Sequence, residues 1–161
     1  ALARLAGELE ALGARTAWAR DRRSHHYVRG LLWRARGDER QAAAAFRRAL
    51  ESRTFGYTRI NMELARVLVR QGRAREAAEL LEAALRGSLE ASNLYVARTE
   101  LHELLARAWT AAGEPERARP HLHAVDAAWS AADPPFAARR ARLLAEVGPF
   151  VRLPVGGGRK P

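Results

Sequence analysis

The histidines are the side chains with the most immediate chemical potential in this sequence. They occur as His25-His26, as His102, and as the pair His121 and His123. A neutral imidazole is a common metal ligand. Adjacent residues on a helix point about a third of a turn apart, however, and a spacing of two residues is no better for holding one ion. The spacing therefore predicts packed or solvated histidines, and we expect no metal and no other cofactor.

Other catalytic patterns are incomplete in this chain. His102-Glu103 begins like the helical motif of zinc proteases, but Ala106 stands where that motif needs its second histidine. The glycines at 156–158 follow no predicted strand and open no predicted helix, so they do not form a phosphate-binding loop. The sequence has no cysteine, which excludes disulfides and cysteine-ligated metal sites. We therefore predict a protein that is not an enzyme.

The charge of the chain is strongly basic and unevenly distributed. The net charge is +10, from 28 basic and 18 acidic residues, and Lys160 is the one basic residue that is not arginine. Residues 22–86 carry 15 arginines against 7 acids, whereas residues 87–133 carry 4 against 7. A dense basic surface favours nucleic-acid contact because it neutralises phosphates. A GC-rich genome also favours arginine whatever the function, so both interpretations stay open.

The elements that must position these side chains repeat three times along the sequence. Gly37, Gly72 and Gly113 each stand at the same point of a recurring pattern, 35 and 41 residues apart. The residues seven and four places before each glycine are Gly30 and Trp33, Ala65 and Leu68, and Ala106 and Trp109. The residues five, nine and twelve places after each glycine are Ala42, Phe46 and Ala49; Ala77, Leu81 and Ala84; and Ala118, Leu122 and Val125. This period indicates a helical repeat array.

Each repeat is predicted to be a hairpin of two helices. The glycine ends the first helix, because it adopts the left-handed conformation without strain. Small residues are expected where the two helices approach most closely, and large ones, including Trp33 and Trp109, in the core between them. The spacing from Gly72 to Gly113 is six residues longer than the spacing from Gly37 to Gly72. We place these additional residues around Arg86–Asn93, as a longer loop or an extended helix.

The pattern resembles the tetratricopeptide repeat (TPR) family over roughly residues 23–130. It departs from the family at Arg29, where leucine is usual, and at Thr54 and Leu89, where proline is usual. The resemblance implies an all-α, right-handed α-solenoid of antiparallel helix hairpins, with about three repeats and flanking helices. A single domain is predicted at 1–148, with a truncated leading helix at 1–21, repeats at 23–56, 58–91 and 99–132, and a capping helix at 134–147. A flexible tail is predicted to follow it at 149–161.

The resemblance also implies a groove lined by the first helix of each hairpin. The groove residues predicted to bind a peptide are Tyr27, Leu31, Arg34, Arg59, Met62, Arg66, Arg70, Glu103 and Arg107. Planar guanidinium groups match carboxylates, so an acidic peptide is the expected guest. The alternative is that these arginines pair with Glu63 and neighbouring acids. The sequence does not match the TPR subfamily that binds the C-terminal carboxylate of chaperones. The positions that hold lysine and asparagine in that subfamily hold other residue types in this chain.

We expect the partner to be a protein or peptide in the cytoplasm, with nucleic acid or a small ligand as alternatives. No apolar run has the length needed to cross a bilayer, and no signal peptide begins the sequence. The chain starts at Ala1 without Met and within the repeat pattern, so we expect it to be the C-terminal array of a larger bacterial regulatory or signalling protein. Self-association through the open ends of the array is a further expectation.

Overall fold

The computed structural model describes residues 1–54, 57–87 and 96–151, and in these residues the chain forms nine α-helices and no strand. The helices are α1 (Leu2–Gly13), α2 (Ala19–Arg22), α3 (Ser24–Ala35), α4 (Glu39–Ala49), α5 (Thr58–Arg70), α6 (Ala74–Arg86), α7 (Arg98–Ala111), α8 (Pro115–Ala128) and α9 (Pro134–Val147). Helices that follow one another pack together in series, as α3–α4, α5–α6 and α7–α8 hairpins that also contact the next hairpin. The predicted all-α, solenoid-like repeat fold is confirmed.

The first helix of every hairpin ends in the same way. Gly37, Gly72 and Gly113 have φ angles of +79°, +75° and +76°, a conformation that glycine adopts most easily. In each case the residue after the glycine donates its N–H to the carbonyl four places before the glycine. These bonds join Asp38 N to Trp33 O at 3.0 Å, Arg73 N to Leu68 O at 2.8 Å, and Glu114 N to Trp109 O at 2.9 Å. The predicted helix ends are therefore correct.

Small and large residues meet inside the hairpins as the repeat pattern predicts. A Cβ atom at Gly30 would overlap the ring of Phe46, which is fully buried on α4. Ala65 and Ala106 occupy the position of Gly30 in the later hairpins, and both are buried. Trp109 is also fully buried, whereas Trp33 is only half-buried against the core. The prediction that both tryptophans lie in the core is correct for Trp109 alone.

Flanking segments close the array at both ends. The leading helix α1 packs on α3, and α9 packs on α7 and α8. Val151 is 1% exposed, so the chain remains packed for a few residues beyond α9 and into the predicted tail. Two predicted features lie partly outside the described residues: the tail, at residues 152–161, and the additional residues between the second and third repeats, at residues 88–95. None of the helices in the described ranges has the length and apolar character required to cross a membrane.

Candidate functional site

A cavity of about 210 Å³ lies between α5 and α7, and Leu81 of α6 forms its base. We define the groove face as the surface of α3, α5 and α7 that carries the predicted peptide-binding residues. The cavity opens on this face and is lined by Ala65, Arg66, Val69, Arg70, Leu81, Leu104 and Arg107. Three of the predicted arginines are therefore brought together around an aliphatic surface.

The position ten places before each glycine is buried in two of the three repeats. Met62, at this position in the second repeat, is 1% exposed, and Glu103, its counterpart in the third, is 7% exposed. Tyr27, the counterpart in the first, is half-buried, with its ring centroid 5.9 Å from that of Phe46. Burial raises the pKa of Tyr27, against the opposing effect of Arg59. The predictions of Met62 and Glu103 as peptide contacts are therefore corrected, because both side chains are buried rather than open to the groove.

The remaining predicted residues are accessible from the groove face. Leu31, Arg66 and Arg107 share the position six places before the glycine, and all three are half-buried. Arg34, three places before Gly37, is also half-buried. Arg59 and Arg70 lie at the two ends of α5, and both are exposed. Of these residues, Arg66, Arg70 and Arg107 meet at the cavity between α5 and α7.

Glu63 is a buried carboxylate that pairs with two arginines between α3 and α5. Its side chain is 9% exposed and accepts from Arg66 Nη1 at 2.9 Å, and it also pairs with Arg34 across the gap to α3. Burial lowers the pKa of Arg66, while Glu100 and Glu103 act in the opposite direction. The guanidinium stays charged at neutral pH, since an arginine pKa lies far above that range. Pairing with Glu63 is the arrangement that the alternative interpretation of these arginines predicts.

Glu103 is the corresponding buried carboxylate between α7 and α9. It pairs with Arg139 of α9 and with Arg107 Nη2 at 3.3 Å, while Arg139 Nη1 also reaches Glu100 at 3.2 Å. Burial would lower the pKa of Arg139, but its hydrogen bonds to Glu103 and Glu100 outweigh this effect and raise it. Arg107 pairs in addition with Glu146 on α9. The capping helix is thereby joined to the groove face through ion pairs.

The three arginines of the cavity differ in how many donors are already used. Arg70 donates Nε and Nη2 to the two carboxylate oxygens of Glu39, at 2.7 and 3.0 Å. Arg107 uses two groups for its two glutamates. Arg66 donates only to Glu63 within the described residues. A guanidinium carries five N–H groups in a fixed planar arrangement, so Arg66 retains the largest capacity to bind another carboxylate.

Two histidines meet between α7 and α8, within the third hairpin. His102 Nδ1 lies 2.9 Å from His121 Nδ1, so one nitrogen donates and the other accepts. Burial, followed by the charge of His102, lowers the pKa of His121 to about 4, and burial also lowers the pKa of His102. In the described ranges, no three histidine, aspartate or glutamate side chains are arranged to hold a metal ion.

The aliphatic floor of the cavity is a feature that the repeat pattern does not predict. Ala65 and Leu81 are predicted as hairpin-packing residues, but not as residues that also border an opening. Leu104 lies on α7, one place after the buried Glu103, and is half-buried beside the cavity. The repeat pattern gives the direction of a side chain but not the gap between neighbouring hairpins, so no sequence signal marks this opening.

No protein family model and no curated protein matches this chain. Its function is therefore inferred from the residues and their geometry.

Proposed function

We propose that this chain is a TPR-type scaffold without catalytic activity, which binds a peptide or a partner domain on its groove face. The observation that supports this proposal is the aliphatic cavity between α5 and α7, with Arg66, Arg70 and Arg107 in its wall. Apolar side chains supply binding energy through burial, and arginines at the edge select the charge of the partner. Such an array belongs, on this proposal, to a cytoplasmic bacterial regulatory or signalling protein.

The groove arginines alone do not supply high affinity. Each already has an intramolecular carboxylate partner, so an acidic guest must share or replace an existing ion pair. An ion pair between exposed side chains contributes only about 0.2–1 kcal/mol. A useful affinity therefore requires several such contacts together with burial of apolar groups. The arginines serve mainly to favour acidic partners over basic ones.

Affinity capture from a native, nuclease-treated lysate at physiological salt tests the proposal. The baits are the wild-type chain and a variant that carries Arg66→Ala and Arg70→Ala together. A matched control carries Arg40→Ala and Arg48→Ala, two exposed arginines on α4 away from the groove face. The proposal predicts a discrete protein that binds the wild type and the control but not the groove variant.

Nucleic-acid contact is the second candidate function, because the net charge is +10 and arginines such as Arg40 and Arg48 are exposed outside the groove. This candidate predicts that both double variants lose the same amount of binding, since each removes two charges. It also predicts affinity that falls steeply with salt and shows little sequence preference. If the treated lysate yields no protein, and an untreated lysate yields material that nuclease removes, with equal losses for both variants, the scaffold proposal is excluded and this one is favoured.

A further inference from the structure

The size and lining of the cavity indicate what it can accommodate. Its volume of about 210 Å³ lies below the ~300–1,000 Å³ usual for pockets that enclose a whole small molecule. The apolar part of the wall is aliphatic, from Ala65, Val69, Leu81 and Leu104. A single aliphatic side chain, buried as an anchor in the way that interface hot spots are, suits this space and this lining.

Arg66 places a charged donor group in the same wall. It donates one hydrogen bond, to Glu63, whereas Arg70 and Arg107 each use two groups for carboxylates. Planar guanidinium donors bind carboxylates with defined geometry. A carboxylate that binds Arg66 therefore lies beside the mouth of the cavity, within one or two residues of the anchoring side chain. Together these features select a peptide that carries both an aliphatic side chain and a nearby carboxylate. An acidic peptide without the aliphatic side chain does not satisfy both contacts.

We propose that the cavity between α5 and α7 takes one aliphatic side chain of an acidic peptide, and that a neighbouring carboxylate of this peptide binds the remaining N–H donors of Arg66. This inference rests on the function proposed above. It adds the partner's recognition motif, an aliphatic residue with an aspartate or glutamate close by, and it names the two contacts that select it.

Selection from a phage-displayed library of random peptides at physiological salt tests the motif directly, because the library contains aliphatic and acidic residues in every spacing. The expected result is enrichment of peptides in which leucine, isoleucine, valine or methionine stands within two residues of an acid. Binding of a selected, fluorescently labelled peptide is then measured by polarisation. Replacing its aliphatic residue by alanine should weaken binding about tenfold, as expected for loss of a buried side chain.

Protein variants test the same contacts from the other side. Val69→Phe fills the cavity and should weaken peptide binding about tenfold, whereas Leu5→Phe, a change at an exposed aliphatic residue of α1 away from the groove face, should alter binding less than about twofold. Arg66→Gln and exchange of the peptide acid for its amide should each weaken binding. Their combination should cost no more than either change alone, because both remove the same contact. Thermal melts show whether each variant is folded.

The outcomes separate the motif from the function on which it rests. Selection of acidic peptides that need no aliphatic residue and bind Val69→Phe unchanged would overturn the anchor but retain the scaffold. Additive losses for Arg66→Gln and the amide peptide would overturn the Arg66 contact. Failure to enrich any peptide would overturn the motif, whereas the scaffold, which includes binding of a partner domain, is decided separately by the affinity capture. If Val69→Phe does not fold, the substitutions in the peptide still decide the question with the wild-type protein.

Discussion

The first hairpin, α3–α4, and the third, α7–α8, share one repeat pattern but differ in how deeply they are buried. Trp33 and Trp109 both stand four places before the glycine that ends the first helix. Trp109 is 0% exposed and donates Nε1–H to Glu82 of α6 at 3.1 Å. Trp33 is half-buried and lies beneath the guanidinium of Arg36, 5.2 Å from its ring centroid.

The difference follows from the neighbours of each hairpin. The third hairpin packs against α6 on one side and α9 on the other. The first hairpin has α1 and the short α2 on its outer side, and Leu5 and Leu12 of α1 remain 43% and 61% exposed. The same sequence position packs against the core in both hairpins, but the surrounding groups cover Trp109 completely and Trp33 only in part. Interior position and burial are separate quantities in a repeat array.

The largest expected effect is the difference between Trp109→Ala and Trp33→Ala. Truncation of a fully buried tryptophan costs about 3–5 kcal/mol, because it removes apolar contacts and leaves a cavity. Trp33→Ala should cost about 1–2 kcal/mol, since part of its surface is already in water. The free energy of unfolding of each variant, from chemical denaturation, measures both values. Equal losses of stability for the two variants would show that Trp33 and Trp109 are buried to the same extent, and the two hairpins would then not differ in this respect.

Acid should destabilise the third hairpin through His121. Its pKa is about 4, below the usual 6.5, so the unfolded state binds more protons between these values. The free energy of unfolding therefore falls as the pH drops from about 6.5 to about 4, and this contribution is flat below that range. One pKa unit corresponds to 1.36 kcal/mol, so the loss from this histidine is at most about 3 kcal/mol. His102, Arg98, Glu82 and Arg117 are the charged or titratable groups near the pair.

A matched variant separates this effect from the titration of the carboxylates. His121→Leu introduces the residue that Leu80 supplies at the same repeat position in the second hairpin. Between pH about 7 and about 4.5, the variant should lose less stability than the wild type. The first hairpin has Ala45 at this position, and its own histidine with a pKa lowered by burial is His26 on α3. An identical decrease for wild type and variant would assign the acid sensitivity to the ion pairs alone.

The hairpins are predictable from the sequence because their determinants are local. Gly37, Gly72 and Gly113 end helices through backbone conformation alone, which a single residue type can specify. The burial of Met62 is not predictable in this way, because the pattern within one hairpin does not show how closely the surrounding helices cover the position ten places before the glycine. The floor of the α5–α7 cavity escapes prediction for the same reason. Features that depend on the distance between hairpins are not encoded in the pattern within one hairpin.

Gly30 should distinguish the packing inside the first hairpin from that in the third. Gly30→Ala adds a Cβ that overlaps the buried Phe46 ring, at a cost of about 1–3 kcal/mol. Alanine favours the helix by about 0.5–1 kcal/mol over glycine, so a net loss of up to about 2.5 kcal/mol is expected. Ala106 and Leu122 show the alternative pairing in the third hairpin, where both are fully buried.

A double-mutant cycle checks that the loss arises from this contact. In a Phe46→Leu background, Gly30→Ala recreates the alanine–leucine pairing of the third hairpin and should be neutral or stabilising. Denaturation of the two single variants and the double variant gives the coupling energy. Additive losses would mean that Gly30 is constrained by something other than the Phe46 ring.

The smallest expected effects come from the arginines that cover the two tryptophans. The guanidinium carbon of Arg117 lies 3.4 Å from the Trp109 ring centroid, and its Nη2 donates to Glu82 at 3.0 Å. Arg117→Ala should therefore destabilise by about 1 kcal/mol, from a cation–π contact and a partly exposed ion pair. Arg36→Ala should cost less than about 0.5 kcal/mol, because Arg36 is exposed and farther from its ring. Chemical denaturation at low and high salt measures both. If Arg36→Ala costs as much stability as Arg117→Ala, the arginine over Trp33 contributes as much as the arginine over Trp109. The depth of burial would then not explain the difference between the two hairpins.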